Sequence, residues 1–438
     1  MTRMKDSGIE WIGEVPEEWG ITKIKFITQL NGRIGWQGLT SAEYKEEGPY
    51  LITGTDFLDG KINFETAVHI DEKRWFEAKQ IQVENGDLLI TKDGTVGKVA
   101  IIEGLNEKAS LNSGVLRIQT TKNISRRFLF YVLKSDVFWL WFNYTNSGAS
   151  TILHLYQNVF DEFSFTFPNI SEQTQIADFL DKKVAQLDKV KSLLEEQIKT
   201  LEDYRQSLIY ETVTKGLDKT VPLKDSGVDW IGQIPEGWGI TKIKFTTQLN
   251  GRIGWQGLTS AEYKEEGPYL ITGTDFLDGK INFETAVHID EKRWFEAKQI
   301  QVENGDLLIT KDGTVGKVAI IEGLNERASL NSGVLRIQTT ENISRRFLFY
   351  VLKSDVFWLW FNYTNSGAST ILHLYQNVFD EFSFTLPNVS EQNQIIDFLD
   401  KKTEQINQMI AIKKEQIENI NKQRQTLIYD VVTGKRRV

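Results

Sequence analysis

The sequence predicts an α+β protein: two near-identical mixed α/β domains, each followed by a long helix, the helices pairing as an antiparallel coiled coil with pseudo-two-fold symmetry. The 438-residue chain repeats itself at an offset of 219, so that Trp11-Ile12-Gly13 recurs as Trp230-Ile231-Gly232. Each copy opens with short apolar runs between turn dipeptides, typical of strands, and ends in apolar heptads, typical of coiled coils. The predicted boundaries are 1–168 and 220–387 for the domains, and 169–219 and 388–438 for the helical segments.

The two copies do not diverge evenly along their length. From Ser171 and Ser390 onward they share little beyond apolar periodicity, whereas the preceding domains are almost identical. A recent duplication alone would leave both parts equally alike. The domain must therefore present the same surface twice, while the other part need only stay helical. Between Gly20 and Phe167 the mismatches are Ile27/Thr246, Lys108/Arg327, Lys122/Glu341 and Phe167/Leu386.

Composition excludes several classes of protein. The chain has no cysteine, which rules out disulfides, a thiolate nucleophile and a zinc–thiolate site. Its net charge of −9 argues against a generally basic nucleic-acid coat, although a local basic face is enough for phosphate contacts. No apolar run approaches the length of a membrane span, and no signal-peptide pattern follows Met1. We expect a cytoplasmic protein.

Within each domain, the spacing of apolar residues distinguishes the predicted strands from one predicted helix. Turn dipeptides such as Asn85-Gly86 and Asp93-Gly94 divide the β-rich runs. Apolar residues at helical intervals predict a helix over 126–142. The predicted strands of the first copy are 80–83, 87–91, 96–102, 115–119 and 163–167.

The helical segment begins near Ser171, a suitable N-cap, and carries apolar residues every seven positions. Heptads sustained at this length are typical of a coiled coil, and the other copy's helix is the natural partner. A helix packed on its own domain is the alternative. The heptad residues are Leu180, Leu187, Leu194, Leu201 and Leu208 in the first copy, and Leu399, Ile406, Ile420 and Leu427 in the second.

The sequence shows no catalytic motif, so we predict no catalytic residue and no metal site. The histidines occupy two repeated positions, His69/His288 and His154/His373, neither in a metal-ligand spacing. No phosphate-binding loop, nucleophile elbow or dinucleotide fingerprint is present.

Polar, basic and aromatic residues on glycine-rich loops are the better candidates for a binding site. The segment Gly32–Gly38 brings an arginine, a tryptophan and a glutamine together, and arginine and glutamine can each pair with a base edge in the major groove. Lysines and hydroxyls in Thr91–Lys98 suit phosphate oxygens. Ordinary solvent-facing turns, or core packing in the case of the tryptophan, are the alternatives. The predicted DNA-binding residues are Arg33, Trp36, Gln37, Lys92, Thr95, Lys98, Asn112, Ser150 and Thr151, and in the second copy Arg252, Trp255, Gln256, Lys311, Thr314, Lys317, Asn331, Ser369 and Thr370.

Several segments resemble the specificity (S) subunit of type I restriction-modification systems. Asp6–Trp19 and its repeat Asp225–Trp238 are similar to that family's opening segment. Leu88–Gly97 resembles a piece of its target-recognition domain, and Pro168–Gln173 resembles the start of its conserved helix. The resemblance covers nearly the whole chain, twice.

The resemblance implies a DNA-recognition adaptor. Each recognition domain would read half of a split site on double-stranded DNA, and the paired helices would dock two methyltransferase (M) subunits, with nuclease-translocase (R) subunits as further candidate partners. The chain itself would be non-catalytic and hold no cofactor, since S-adenosylmethionine belongs to the M subunit. Near-identical recognition domains depart from the family's usual pattern and predict a palindromic site. The alternatives are a scaffold presenting two identical protein- or glycan-binding domains on a coiled-coil rod, and an enzyme with two active sites using carboxylates that we have not paired.

Overall fold

A computed structural model describes residues 3–33, 39–147, 153–252, 258–365 and 372–438. The chain divides into two compact units. Unit 1 comprises Met1–Leu194 with Lys414–Val438, and unit 2 comprises Glu195–Lys413. Each unit therefore contains one mixed domain, the beginning of the helix that follows it, and the end of the helix that follows the other domain.

In the described part of the first copy, the elements are short strands, four short α-helices and one long α-helix. The strands are β1 Met4–Asp6, β2 Glu14–Pro16, β3 Gly20–Lys23, β4 Thr28–Gly32, β5 Lys45–Ile52, β6 Phe57–Leu58, β7 Lys61–Ile62, β8 Val68–His69, β9 Gln82–Val83, β10 Leu88–Thr91, β11 Val99–Ile101, β12 Ala109–Leu111, β13 Val115–Thr120 and β14 Ser164–Phe167. The α-helices are α1 Glu72–Phe76, α2 Arg126–Lys134, α3 Asp136–Thr145, α4 Gln157–Phe160 and α5 Ile170–Lys215.

The second copy repeats this order, with one additional short α-helix. Its strands are β15 Leu223–Asp225, β16 Gln233–Pro235, β17 Gly239–Lys242, β18 Thr247–Gly251, β19 Lys264–Ile271, β20 Phe276–Leu277, β21 Lys280–Ile281, β22 Val287–His288, β23 Gln301–Val302, β24 Leu307–Thr310, β25 Val318–Ile320, β26 Ala328–Leu330, β27 Val334–Thr339 and β28 Ser383–Leu386. Its α-helices are α6 Ile243–Thr246, α7 Glu291–Phe295, α8 Arg345–Lys353, α9 Asp355–Thr364, α10 Gln376–Phe379 and α11 Val389–Val432.

Two four-stranded sheets form the centre of each domain. In the first copy one sheet has the order β11-β10-β13-β4 and is antiparallel, and the other has the order β8-β5-β12-β9 with β5 and β12 parallel. Strand β10 is buried on both faces: Leu88 and Ile90 point into the core that includes α2 and α3, while Leu89 points into the second core. Because both faces of β10 are buried, its successive residues are apolar rather than alternately apolar and polar.

The predicted helix over 126–142 is wrong in one respect, because it is two helices. Ser135 is fully buried with extended backbone (ψ 166°) and separates α2 from α3. Its hydroxyl donates to the Val132 carbonyl at 2.6 Å, which satisfies one of the carbonyls left open where α2 ends. The apolar spacing could not reveal this break because serine is tolerated inside helices.

The long helices run antiparallel in each unit where contacts define their direction. In unit 1, Asp188 of α5 pairs with Arg424 of α11 at 3.2 Å, while Arg436, just beyond α11, lies over the Phe179 ring. In unit 2, Lys413 donates to Gln197 at 2.5 Å and Arg205 bonds to Asn407. In both units, residues later in α5 contact residues earlier in α11. The two helices are therefore antiparallel, as the sequence predicted.

The end of each long helix is fastened to the mixed domain of its unit by the same contacts. In unit 1 the Thr166 hydroxyl donates to the Val432 carbonyl, and in unit 2 Thr385 donates to Val213 at 2.6 Å. Residues 166 and 385, like residues 213 and 432, are equivalent positions of the two copies. Each domain is thus completed by the far end of the helix belonging to the other copy.

One sequence difference outside the conserved stretch has a structural reason. Arg437 follows α11, forms ion pairs with Glu18 and Glu172, and lies over the Trp19 ring at 5.6 Å. The second copy has Gly237 where the first has Glu18. The acidic residue is present in the domain that receives the basic Lys435–Arg437 segment.

Candidate nucleic-acid interface

The loop between β10 and β11 is a tight turn held by Thr91. The buried Thr91 hydroxyl donates to the Thr95 carbonyl and accepts from the Lys98 amide at 2.9 Å. Gly97 has a positive φ of 81°, and a Cβ there would stand 2.9 Å from the Phe138 and Trp139 rings of α3. Only glycine fits this position, so the loop is anchored at its base while Thr95 and Lys98 stay exposed.

Three other segments bracket this loop. The Lys92 amide donates to the Gly114 carbonyl at 2.8 Å, and the Lys92 carbonyl accepts from the Leu155 amide at 2.9 Å. The Lys98 ammonium group donates to the Gly54 carbonyl at 3.3 Å. The Asn112 side chain accepts from the Gly114 amide at 3.3 Å and orders the turn that follows β12. Residues far apart in sequence are thus brought together at one cluster of loops, named here the loop cluster: 53–56, 91–98, 112–114 and 153–156.

The loop cluster contains the predicted phosphate contacts of the first copy, Lys92, Thr95 and Lys98, together with Asn112. The corresponding residues of unit 2, Lys311, Thr314, Lys317 and Asn331, occupy the same surroundings. The Lys317 ammonium group donates to Gly273 at 3.3 Å, and the Lys311 amide donates to Gly333 at 2.8 Å. The two units therefore offer the same loop geometry.

Arg33 lies beside the loop cluster but does not project from it. Its side chain is only 5% exposed, and its guanidinium donates to the Leu111 carbonyl at 2.9 Å and to the Ser110 hydroxyl at 3.3 Å. Burial, followed by the nearby Arg74, lowers the pKa of Arg33 to about 10. Arg252 is held in the same way in unit 2. Base reading by these arginines stays a prediction, and it would require the side chain to leave a buried, hydrogen-bonded position.

The other predicted contacts lie outside the described residues. They are Trp36, Gln37, Ser150 and Thr151 in the first copy, and Trp255, Gln256, Ser369 and Thr370 in the second. In the first copy, one undescribed stretch follows Arg33 and the other precedes Leu153.

The sequence matches the family described as the type I restriction modification DNA specificity domain over residues 16–202 and 258–420. Most of both copies is covered. The chain belongs to this specificity family.

Individual relatives agree. The chain is similar to the type I restriction enzyme MjaVIII specificity subunit of Methanocaldococcus jannaschii, with 26% identity over 432 residues covering 97% of this chain and 94% of that one. It is 25% identical over 359 residues to the EcoBI specificity subunit of Escherichia coli, covering 80% and 72% of the two chains. A chain in a structural study of complex assembly and conformational transition of the type I R-M system shares the fold, with a TM-score of 0.72, 16% identity, and coverage of 96% and 99%.

The specificity-family domains differ at four positions in the conserved stretch, none of them in the loop cluster. Lys108 lies over the Trp75 ring at 5.1 Å and pairs with Glu72, and Arg327 repeats both contacts in unit 2. Ile27 and Thr246 are both buried. Lys122 and Glu341 are both exposed, and Phe167 and Leu386 are both half-buried.

Sequence reasoning missed one pair of residues in the loop cluster. His154 Nδ1 lies 2.8 Å from Asp93 Oδ1, and His373 lies 2.7 Å from Asp312 in unit 2. Sixty-one positions separate each histidine from its aspartate, so no local motif could have revealed the pair.

Two further properties concern metals and membranes. In the described part of the chain, no group of three or more histidine, aspartate or glutamate side chains is placed to hold a metal ion. Within the same residues, no helix is long and apolar enough to cross a bilayer.

Proposed function

We propose that this chain recognises a split, palindromic DNA sequence, each unit reading one half-site through its loop cluster. The observation that carries the proposal is the clustering of Lys92, Thr95, Lys98 and Asn112 around one anchored loop in a chain of the DNA specificity family. Lysine ammonium groups and loop N–H groups suit phosphate contacts, which set the register of a protein on the duplex.

Near-identity of the two units supports the palindrome. Domains with the same loops and the same surrounding hydrogen bonds must read nearly the same bases. The antiparallel pairing of the long helices, as the sequence predicts it, implies a two-fold relation between the copies. A two-fold relation makes the second half-site the inverted complement of the first. Half-site centres about one helical turn apart, roughly 10 bp, would place both on one face of the duplex.

Catalysis is assigned to partner subunits. The chain is proposed to act as a non-catalytic adaptor for two M subunits, which would supply S-adenosylmethionine, with R subunits joining in a restriction complex. The names of the relatives, specificity subunits of restriction enzymes, support this division of labour. Purified chain free of M subunit should transfer no methyl group from labelled S-adenosylmethionine to DNA, and robust transfer would refute the assignment.

The palindrome is tested by sequencing methylated bases in cells that carry this chain with an M subunit. The motif found is then built into three duplexes of equal length: the palindrome, a single half-site, and two half-sites as a direct repeat. We expect the palindrome to bind tightest and the direct repeat to bind about as weakly as the single half-site. A methylated motif whose halves differ would contradict the proposal.

The roles of individual residues are tested by paired variants. Replacing Lys92, Lys98 and their counterparts by alanine should weaken binding to all sequences similarly and flatten its salt dependence. Replacing Arg33 and Arg252 by alanine should cost about 1–3 kcal/mol per half-site and relax discrimination if they read bases. If affinity and thermal stability fall while discrimination is unchanged, the arginines instead hold the loop through Leu111 and Leu330.

A further inference from the structure

The pair His154–Asp93 is part of the loop cluster but has no role in the proposed phosphate or base contacts. Both side chains are 40% exposed, so the pair is open to solvent. The histidine Nδ1 faces the carboxylate, and among the described residues its other ring nitrogen, Nε2, has no hydrogen-bond partner. The same arrangement occurs at His373 and Asp312 in unit 2.

The aspartate decides what the imidazole can do. A carboxylate beside Nδ1 keeps the proton on that nitrogen, so in the neutral ring Nε2 is a bare acceptor. A bare acceptor cannot bond to a phosphate oxygen, whereas the imidazolium donates from Nε2. Histidine is the side chain whose charge ordinarily changes between pH 5 and 8.

The loop that carries Asp93 is rich in positive charge. Lys92 and Lys98 lie on the loop that carries Asp93, and the Lys92 carbonyl is bonded to Leu155, the residue after His154. On the histidine's own segment, the Tyr156 ring centroid is 5.8 Å from the imidazole. Asp93 is thus the acidic group paired with the ring, and the two lysines add positive charge to the same loop.

We propose that His154 and His373 contact DNA phosphate through Nε2 in the imidazolium form, which makes recognition of each half-site tighten as pH falls. The inference rests on the proposed function, because it assigns a further contact to the same DNA interface. DNA binding would take up about one proton per half-site, so the logarithm of affinity would change by at most about one per pH unit at each half-site.

The test measures affinity of the full chain for its specific duplex from pH 8 to pH 6 at constant ionic strength. The double variant H154Q/H373Q keeps an amide donor for the aspartate but cannot gain a proton. We expect the wild-type chain to bind more tightly at pH 6 than at pH 8, and we expect the variant to lose that gain. The matched control is H69Q/H288Q, at a histidine pair whose Nδ1 lies 2.6 Å and 2.7 Å from the backbone carbonyls of Gly48 and Gly267. This control variant should still bind DNA more tightly at pH 6 than at pH 8.

The aspartates give an independent measurement. In D93N/D312N the carboxylate no longer holds the proton on Nδ1, so the neutral ring can also donate from Nε2 and the gain in affinity at low pH should shrink. A pH dependence unchanged in H154Q/H373Q, with specific binding intact, would overturn this inference and leave the proposed function standing. Failure of the wild-type chain to prefer its specific duplex at any pH would overturn the proposed function itself.

Discussion

A single methyl group at Gly97 should disturb the loop that carries the proposed phosphate contacts. Gly97 adopts a positive φ of 81°, and its Cα faces the Phe138 and Trp139 rings. Gly316 is placed identically, with the Phe357 ring 2.8 Å from a would-be Cβ. We expect the double variant G97A/G316A to destabilise both units and displace the loop.

The expected magnitude has two parts. An alanine in the left-handed region costs roughly 1–2 kcal/mol. Inserting a methyl where ring atoms lie within 2.9 Å adds the cost of overpacking, about 1–3 kcal/mol. Gly94, in the same loop, provides the matched control, because its φ is 72° but no described atom lies within 4 Å of a would-be Cβ. G94A/G313A should therefore be destabilised only by the left-handed backbone conformation and not by overpacking.

Urea unfolding of the two double variants and the wild-type chain measures the difference. G97A/G316A should unfold at clearly lower urea than G94A/G313A and should also lose specific DNA binding, because Lys98 follows Gly97 directly. Equal destabilisation by the two variants would show that the contact with α3 does not constrain the loop, and would refute the reasoning.

Three further predictions concern stability. Burial lowers the pKa of Lys134 from 10.5 to about 8. Between these two pH values the unfolded chain holds the proton and the folded chain does not, so the contribution of Lys134 to stability rises with pH. In pH-dependent unfolding, K134M should remove this contribution to the rise and should stabilise unit 1 below pH 8 by about 1–3 kcal/mol. Asp87 is 3% exposed with its carboxylate 2.9 Å from Arg117 Nε, so D87A should cost about 3–5 kcal/mol in urea unfolding, and a loss below 1 kcal/mol would contradict a paired buried charge. T166V removes the hydroxyl that bonds Val432 and should lower the thermal stability of unit 1 by about 1–2 kcal/mol, whereas an unchanged melting temperature would show that this bond does not fasten the helix end.

The sequence by itself determined the doubled architecture, the long heptad helices and the loops that carry polar residues. These features depend on local signals: a repeat offset, apolar spacing, and glycine at turns. The lysines of Thr91–Lys98 could be predicted as phosphate contacts because the glycines at 94 and 97 already predict a turn between two strands.

Only the tertiary structure decided which residues meet. Val432 fastens to Thr166 across 266 positions, and His154 pairs with Asp93 across 61. Arginine is the residue type of a base reader, yet the position of Arg33 beside β12 buries it against the Leu111 carbonyl and the Ser110 hydroxyl. Contacts between distant segments depend on how sheets and helices pack. No periodic pattern in the sequence shows which distant residues will be in contact.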